Sequence, residues 1–293
     1  MADTSIYRDI AERTANTFYL GVIGPVRTGK STFIKKFMET LVIPNIKDEN
    51  ERERARDEMP QSAAGKTVMT TEPKFIPDEA VEITLGDNAV MKVKMVDCVG
   101  YIIPGAMGHI EDGHARMVHT PWQTEPMPFT EAAEYGTRKV IREHSTVGML
   151  VTTDGSIGEL PRESYVEAEE RVVRELKEIN KPFAIILNSA NPQSDAAVSL
   201  AYKLEEKYGA PVALVNCLEL DSDDIRHILE LVLSEFPVCE VRVKLPDWVG
   251  ALPDGHRLKT ELDEFVMERA GKVGKIGEIA KVFTDVGDSE IVK

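Results

Sequence analysis

Residues 24–32 carry a complete phosphate-binding motif, G-x-x-x-x-G-K-[ST]. The glycines of such a loop let its backbone N–H groups face phosphate oxygens, and the helix that follows directs the positive end of its dipole there. Lys30 is placed to reach the β- and γ-phosphates of a nucleoside triphosphate, and Ser31 to put its hydroxyl on Mg²⁺. The motif predicts a nucleotide-binding loop made of Gly24, Pro25, Val26, Arg27, Thr28, Gly29, Lys30, Ser31 and Thr32.

The segments on either side of this loop have the periodicity that the motif requires. Residues 18–23 form an apolar run that predicts a buried strand. After the loop, apolar residues recur at helical spacing, at Phe33, Ile34, Phe37, Met38 and Leu41. Because the motif lies between a strand and an amphipathic helix, a chance match is a poor explanation for it.

A second motif follows the strand predicted at residues 91–96. There the chain continues as Asp97-Cys98-Val99-Gly100, a D-x-x-G tetrapeptide. Asp97 is expected to hold Mg²⁺ through a water molecule, and the Gly100 amide is expected to face the γ-phosphate. The tetrapeptide alone is weak evidence, but its place downstream of a phosphate loop makes it specific.

Between these motifs, residues 67–71 place paired threonines before a predicted strand. Switch proteins present a threonine at this position to Mg²⁺ and to the attacking water. Thr70 or Thr71 is therefore the candidate sensor of the γ-phosphate. The alternative is that these β-branched residues only begin a strand.

The loop that would recognise the base departs from the guanine-specific pattern Asn-Lys-x-Asp. Here the residues are Asn188-Ser189-Ala190-Asn191, so the lysine that packs on the base and the carboxylate that accepts the guanine N–H groups are both missing. Charge-assisted discrimination for guanine is thereby lost, and we infer ATP rather than GTP. Two alternatives stay open, namely that Asn191 still recognises guanine weakly or that another loop does.

The residue after Gly100 is Tyr101, where many related hydrolases place a glutamine that orients water. Intrinsic hydrolysis is therefore expected to be slow. Arg27, or a residue from a neighbouring subunit, could stabilise charge in the transition state. Arg27 could equally be a surface residue that steers phosphates toward the loop.

Composition limits the remaining possibilities. A formal net charge of −15 argues against a nucleic-acid partner, because a phosphate backbone favours clustered Lys and Arg. No apolar stretch approaches the roughly 20 residues of a membrane span, and residues 1–13 lack the core of a signal peptide. The chain is therefore expected in the cytosol, with its three cysteines reduced and buried, at Cys98, Cys217 and Cys239.

Alternating patterns predict an α/β fold with a mostly parallel sheet and helices on both faces. Further strands are expected at residues 147–151, 183–187 and 212–215, and helices near residues 131–143, 163–179, 195–207 and 222–235. The charged run 47–58 fits a solvated helix or a mobile insert. The long segment 101–130 fits a switch loop, and its spaced histidines argue only weakly for a metal site.

The pattern changes near residue 238. Residues 238–245 alternate like a strand, a Pro- and Gly-containing segment follows at 246–255, and a helix is expected near residues 257–270. We therefore expect an ATPase domain at residues 1–237 and the beginning of a second, small α+β domain at residues 238–293.

Taken together, the phosphate loop with Arg27, the threonine pair, the D-x-x-G strand end and the altered base loop resemble stage IV sporulation protein A of endospore-forming bacteria. The resemblance extends over essentially the whole chain. Members of that family are longer, so the chain resembles their N-terminal ATPase region and part of a middle domain. The fold that this implies is a P-loop NTPase of the type related to translation-factor GTPases, without guanine specificity.

The resemblance also implies a function. Members hydrolyse ATP, with Mg²⁺, and this drives self-assembly into the basement layer of the spore coat, on the forespore surface that faces the mother-cell cytosol. Lys30 would bind phosphate, Ser31 and Asp97 would serve Mg²⁺, and Thr70 and Thr71 would be the sensor threonines. The implied partners are further copies of the protein, a small amphipathic membrane-anchoring peptide and spore-coat proteins.

Three other functions compete with this interpretation. A regulatory switch GTPase would prefer GTP in a competition experiment. A small-molecule kinase is disfavoured by the D-x-x-G strand end, and because no Arg-rich lid is evident. A binding-only protein with a structural nucleotide would show no turnover.

Overall fold

The computed structural model describes residues 17–60, 73–84, 90–111, 113–253 and 255–284. The chain divides into two compact units, one up to Val232 and one from Leu233 onward. The first unit is built on a six-stranded sheet and contains every motif named above that lies in these ranges.

The first unit contains ten strands in its described part: β1 Thr17–Ile23, β2 Lys74–Thr84, β3 Val90–Asp97, β4 Ile110–Glu111, β5 His114–Ala115, β6 Met117–Thr120, β7 Gln123–Pro128, β8 Val147–Thr153, β9 Phe183–Asn188 and β10 Val212–Val215. The central sheet has the order β10-β9-β8-β1-β3-β2. Only β2 runs antiparallel to its neighbour. The prediction of a mostly parallel sheet is confirmed.

The helices of the first unit are α1 Lys30–Phe37, α2 Glu49–Asp57, α3 Phe129–Lys139, α4 Glu163–Glu178, α5 Asp195–Tyr208 and α6 Ser222–Ser234, the last of which extends into the second unit. Short π-helical turns, 38–42 and 140–144, continue α1 and α3. All residues of β8 and β9 are buried, which means that both faces of the sheet are covered there. The α/β fold class is confirmed.

The parallel strands bring their carboxyl ends to one edge of the sheet. β1 lies between β3 and β8, with Val22 opposite Asp97 in the register of β1 and β3. The segments that follow β1 and β3, which carry the phosphate loop and the D-x-x-G motif, are therefore neighbours. Ligands bind at this edge in open α/β sheets.

Two short hairpins occupy much of segment 101–130, where the sequence suggested a switch loop. β4 pairs with β5, and β6 pairs with β7, both antiparallel. Among the residues that the structure describes, the histidines of this segment join no cluster of ligands suited to a metal ion. A rearrangement with the state of the nucleotide stays a prediction.

The second unit departs from the expected α+β pattern. Its helices are α7 Asp247–Gly250, α8 Arg257–Ala270 and α9 Ile279–Thr284, and α8 confirms the predicted helix. The strand predicted at residues 238–245 is wrong, because this segment pairs with no strand in the described structure. The nearest bridge joins Pro237, just before the segment, to Lys275.

The three cysteines differ in burial between the two units. All three are free, and Cys98 and Cys217 are buried as predicted. Cys239 is exposed, which corrects the prediction, because it lies in the segment that forms no sheet and is therefore not covered.

None of the helices in the described ranges combines the length and the apolar character that crossing a bilayer requires.

A buried carboxylate ties together β8, α4 and α5. Glu169 is 0% exposed and accepts hydrogen bonds from Arg162 Nη2 and from the Tyr208 hydroxyl, both at 2.7 Å, and from Thr152 Oγ1. Burial and the bond to Glu169 raise the pKa of Tyr208. A buried charge is tolerated only when such partners surround it.

This network makes a prediction about stability. Tyr208→Phe removes one charge-assisted hydrogen bond, so we expect the free energy of unfolding to fall by about 1.5–3 kcal/mol in urea titrations. Tyr202→Phe, on the same helix but 67% exposed, is the matched control and should change it by less than about 0.5 kcal/mol. Equal effects of the two substitutions would contradict the role assigned to Tyr208.

Candidate nucleotide-binding site

The phosphate loop lies between β1 and α1, as the motif predicts. Gly29 immediately precedes α1 with a left-handed φ of 93°. A Cβ at this position would lie 2.3 Å from the side-chain nitrogen of Asn188, so only glycine fits. Within the loop, the Thr28 hydroxyl donates to the Pro25 carbonyl at 3.1 Å. The backbone is thereby fixed in a curled form at the beginning of the helix.

The ammonium group of Lys30 lies inside this curl. The residue is 6% exposed, and Nζ donates to the carbonyls of Pro25 at 2.6 Å and of Gly24 at 3.5 Å. Burial lowers the pKa of Lys30, while the nearby Cys98 and Asp97 oppose that effect. A buried cation held mainly by neutral carbonyls is a strong binding group for an anion such as a phosphate.

Asp97, at the end of β3, lies beside Ser31 at the start of α1. The Ser31 hydroxyl is 3.5 Å from Asp97 Oδ2, and Oδ1 is buried without a hydrogen-bond partner among the described residues. Burial raises the pKa of Asp97 to about 6, although Lys30 opposes the increase. A hydroxyl and an orphaned carboxylate oxygen are hard ligands of the kind that Mg²⁺ prefers, so these residues fit the ion.

The rest of the D-x-x-G motif is held against the phosphate loop. Gly100 has φ 93°, and a Cβ there would lie 2.2 Å from the Gly24 carbonyl oxygen and 2.7 Å from Lys30 Nζ. Tyr101 N–H donates to Gly24, and Val26 N–H donates to the Tyr101 carbonyl at 2.9 Å. The Gly100 N–H itself donates to Thr137 Oγ1 on α3 at 3.2 Å. Its expected contact with a γ-phosphate stays a prediction.

Tyr101 does not offer its side chain to the phosphate edge. The ring is 1% exposed, and its hydroxyl is 2.7 Å from both carboxylate oxygens of Glu175 on α4. The Arg171 guanidinium lies over the ring, 4.2 Å from its centre. Tyr101 therefore cannot take the place of a water-orienting glutamine from this position.

The altered base loop follows β9 and is held by its own side chains. Asn188 donates from Nδ2 to the Thr28 carbonyl at 3.1 Å and accepts from Cys217 N–H at 3.0 Å. Ser189 is 1% exposed, whereas Asn191 is exposed. Of the two asparagines predicted to bind the nucleotide, Asn188 is engaged in joining loops and Asn191 faces solvent.

Asp154 is a residue whose role sequence reasoning missed. It forms a turn, since Ser156 N–H donates to its Oδ1 at 2.9 Å. It also accepts a hydrogen bond from Ser189 Oγ at 2.7 Å, which links the loop after β8 to the base loop. Partial burial opposes ionisation, but the bonds from Ser156 and Ser189 lower the pKa of Asp154.

Arg27 lies at the outer side of the phosphate loop. It is exposed and adopts φ 66°, which is uncommon for a residue with a side chain. Burial raises the pKa of Tyr165 and the charge of Arg27 opposes that increase, so the two side chains are near each other. Both interpretations of Arg27 stay open. The candidate sensors Thr70 and Thr71 lie outside the described residues.

Comparison with known proteins identifies the family. The ATPase domain of stage IV sporulation protein A matches residues 1–237. The stage IV sporulation protein A of Bacillus anthracis is 50% identical over 292 residues, and that of Bacillus subtilis is 48% identical over 293 residues. The chain belongs to the stage IV sporulation protein A family.

The chain covers 59% of the length of the Bacillus anthracis member and 60% of that of Bacillus subtilis. Among solved structures, Era bound to MgGDPNP and a segment of 16S ribosomal RNA aligns with 87% of this chain and 67% of its own, at 14% identity and a TM-score of 0.44. That likeness is too weak to support an argument. Membership of the stage IV sporulation protein A family therefore rests on the sequence relatives.

In this member of the stage IV sporulation protein A family, the raised pKa of Asp97 predicts a cost in stability. The carboxyl group has a pKa near 3.8 when unfolded and about 6 when folded. Its ionisation therefore disfavours folding, with no cost well below 3.8 and the full cost above about 6. We expect Asp97→Asn to raise the free energy of unfolding at neutral pH by about 2–3 kcal/mol, and the gain to vanish as the pH falls toward 4.

Urea titrations across this pH range measure the effect. Asp154→Asn is the control with the opposite sign, because the folded pKa of Asp154 is lowered and its ionisation favours folding. That substitution should destabilise the protein at neutral pH. If Asp97→Asn also destabilised the protein there, burial of the Asp97 carboxylate would not carry the cost in stability that we infer.

Proposed function

We propose that this chain binds ATP and hydrolyses it to ADP and phosphate, and that this reaction drives self-assembly of the protein during sporulation. The observation that carries the proposal is the packing of the Asp97–Gly100 strand end against a phosphate loop with a buried Lys30. Membership of a family with an ATPase domain supports it.

In the proposed mechanism the chain's own residues bind and orient the triphosphate. Lys30 exchanges its carbonyl partners for phosphate oxygens, and the N–H groups of the loop complete the cradle. Ser31, Asp97 and Thr70 would hold Mg²⁺, which when bound would supply positive charge against the charge that develops on the transferring phosphoryl group. Thr70 and Thr71 position the attacking water. Because Tyr101 is engaged by Glu175, turnover is slow.

The base is adenine in this proposal. Guanine recognition in related loops uses a carboxylate that accepts two N–H groups, and Asn191 lacks that charge. Asn188 keeps the loop attached to Thr28, so the altered recognition does not disturb the phosphate end. A switch GTPase is the alternative, in which another loop recognises guanine.

Membership of the family supports a wider setting for this proposal. Residues 1–237 form the ATPase domain and residues 238–293 begin a middle domain. The protein assembles on the forespore surface, facing the mother-cell cytosol, as the basement layer of the spore coat. A small amphipathic membrane peptide and coat proteins are its partners. Sedimentation after incubation with ATP tests assembly, which Thr70→Ala/Thr71→Ala should block.

Phosphate release from ATP and from GTP, each with Mg²⁺, tests the reaction. We expect ATP to be hydrolysed and GTP to be ineffective. Lys30→Ala should abolish release because nucleotide binding is lost, and Thr70→Ala/Thr71→Ala should abolish it while binding remains. Lys36→Ala, six residues after Lys30 on α1 and outside the motif, is the control and should keep full activity. A preference for GTP would make the protein a switch GTPase.

A further inference from the structure

The N–H of Gly100 has a partner on a helix outside both nucleotide motifs. It donates to Thr137 Oγ1 at 3.2 Å, and Thr137 is 0% exposed in the last turn of α3. The Thr137 hydroxyl donates its own proton to the Ala133 carbonyl at 2.7 Å. Because the hydroxyl proton points to Ala133, a lone pair of the oxygen is available to accept from the Gly100 N–H.

Gly100 is also next to the group that would hold the end of a triphosphate. A Cβ on Gly100 would lie 2.7 Å from Lys30 Nζ. The following residue, Tyr101, is fixed to the loop by backbone bonds to Gly24 and Val26. The Gly100 N–H thus lies close to the phosphate-binding lysine, but its hydrogen bond is to Thr137 on α3.

We propose that Thr137 is a positioning residue that competes with the terminal phosphate of a nucleoside triphosphate for the Gly100 N–H. The proposal rests on the proposed nucleotide-binding function. A single N–H cannot serve both acceptors fully, and a charged phosphate oxygen is the stronger one. A diphosphate has no terminal phosphate to offer, so it leaves the bond to Thr137 in place.

Transfer of the Gly100 hydrogen bond from Thr137 to a phosphate would affect α3 at a second point. Glu134, one turn before Thr137, binds Arg171 at 2.7 Å, and Arg171 lies over the ring of Tyr101. Gly100 and Tyr101 are therefore both connected to α3, the former directly and the latter through Arg171. Loss of the Gly100 bond couples triphosphate binding to the position of this helix.

Calorimetric binding of ADP and of a non-hydrolysable ATP analogue, with Mg²⁺, tests the proposal. Thr137→Val removes the competing acceptor while nearly preserving shape. The Gly100 N–H then loses its hydroxyl acceptor in the free and ADP-bound forms, whereas the analogue supplies a phosphate oxygen. We expect the analogue to bind about three- to ten-fold more tightly and ADP to be unaffected. Thr137→Ser, which keeps the hydroxyl, should retain the wild-type ratio of the two dissociation constants.

A merely structural role predicts a different result. General damage to the fold would weaken both ligands together and leave the ratio unchanged, which would overturn the proposal. Thr130→Val, also on α3, is the control and should leave both constants unchanged. If wild type bound neither nucleotide, the proposed function would itself fail. If both nucleotides bound and Thr137→Val kept the wild-type ratio of dissociation constants, only the proposed competition for the Gly100 N–H would be wrong.

A measurement on the unmodified protein does not depend on any variant folding. With ¹⁵N-labelled glycine, the Gly100 amide resonance should shift between the ADP complex and the complex with the ATP analogue, because the acceptor changes from hydroxyl to phosphate. The Gly209 amide, which donates to Glu205 at the end of α5, is the internal reference. An identical Gly100 resonance in both complexes would contradict the proposal.

Discussion

The buried ammonium group of Lys30 is the feature on which the arrangement of the site depends. It is 6% exposed and is held at 2.6 Å by a carbonyl of its own loop, with Asp97 close enough to counteract the effect of burial on its pKa. A charge removed from water is tolerated only when its partners keep their places. The loop, the end of β3 and the start of α1 are therefore constrained together, and Gly100 must lack a side chain to approach them.

The same region contains two features that lower the stability of the folded state. One oxygen of Asp97 is buried without a hydrogen-bond partner among the described residues, and Arg27 adopts a left-handed backbone conformation. Each feature disfavours the folded state, the first by desolvation and the second by steric strain. Costs concentrated around a phosphate loop are typical of a site arranged for ligand binding rather than for stability.

Sequence patterns located the elements that depend on local periodicity. The predicted bounds of β10 and α8 agree with the structure at both ends. The strand predicted at 238–245 failed because alternation belongs to one segment, whereas a strand also needs a partner. Asp154 and Thr137 were missed for a related reason: their decisive bonds join residues 35 and 37 positions apart, and no local pattern records them.

In the loop after β9, different side chains hold the loop in place and face solvent. Asn188 joins Thr28 to Cys217, and the buried Ser189 binds Asp154, so these side chains hold the loops in place. Asn191 is exposed beside them. Because the supporting bonds do not involve the Asn191 side chain, the identity of that residue can change without loosening the phosphate loop.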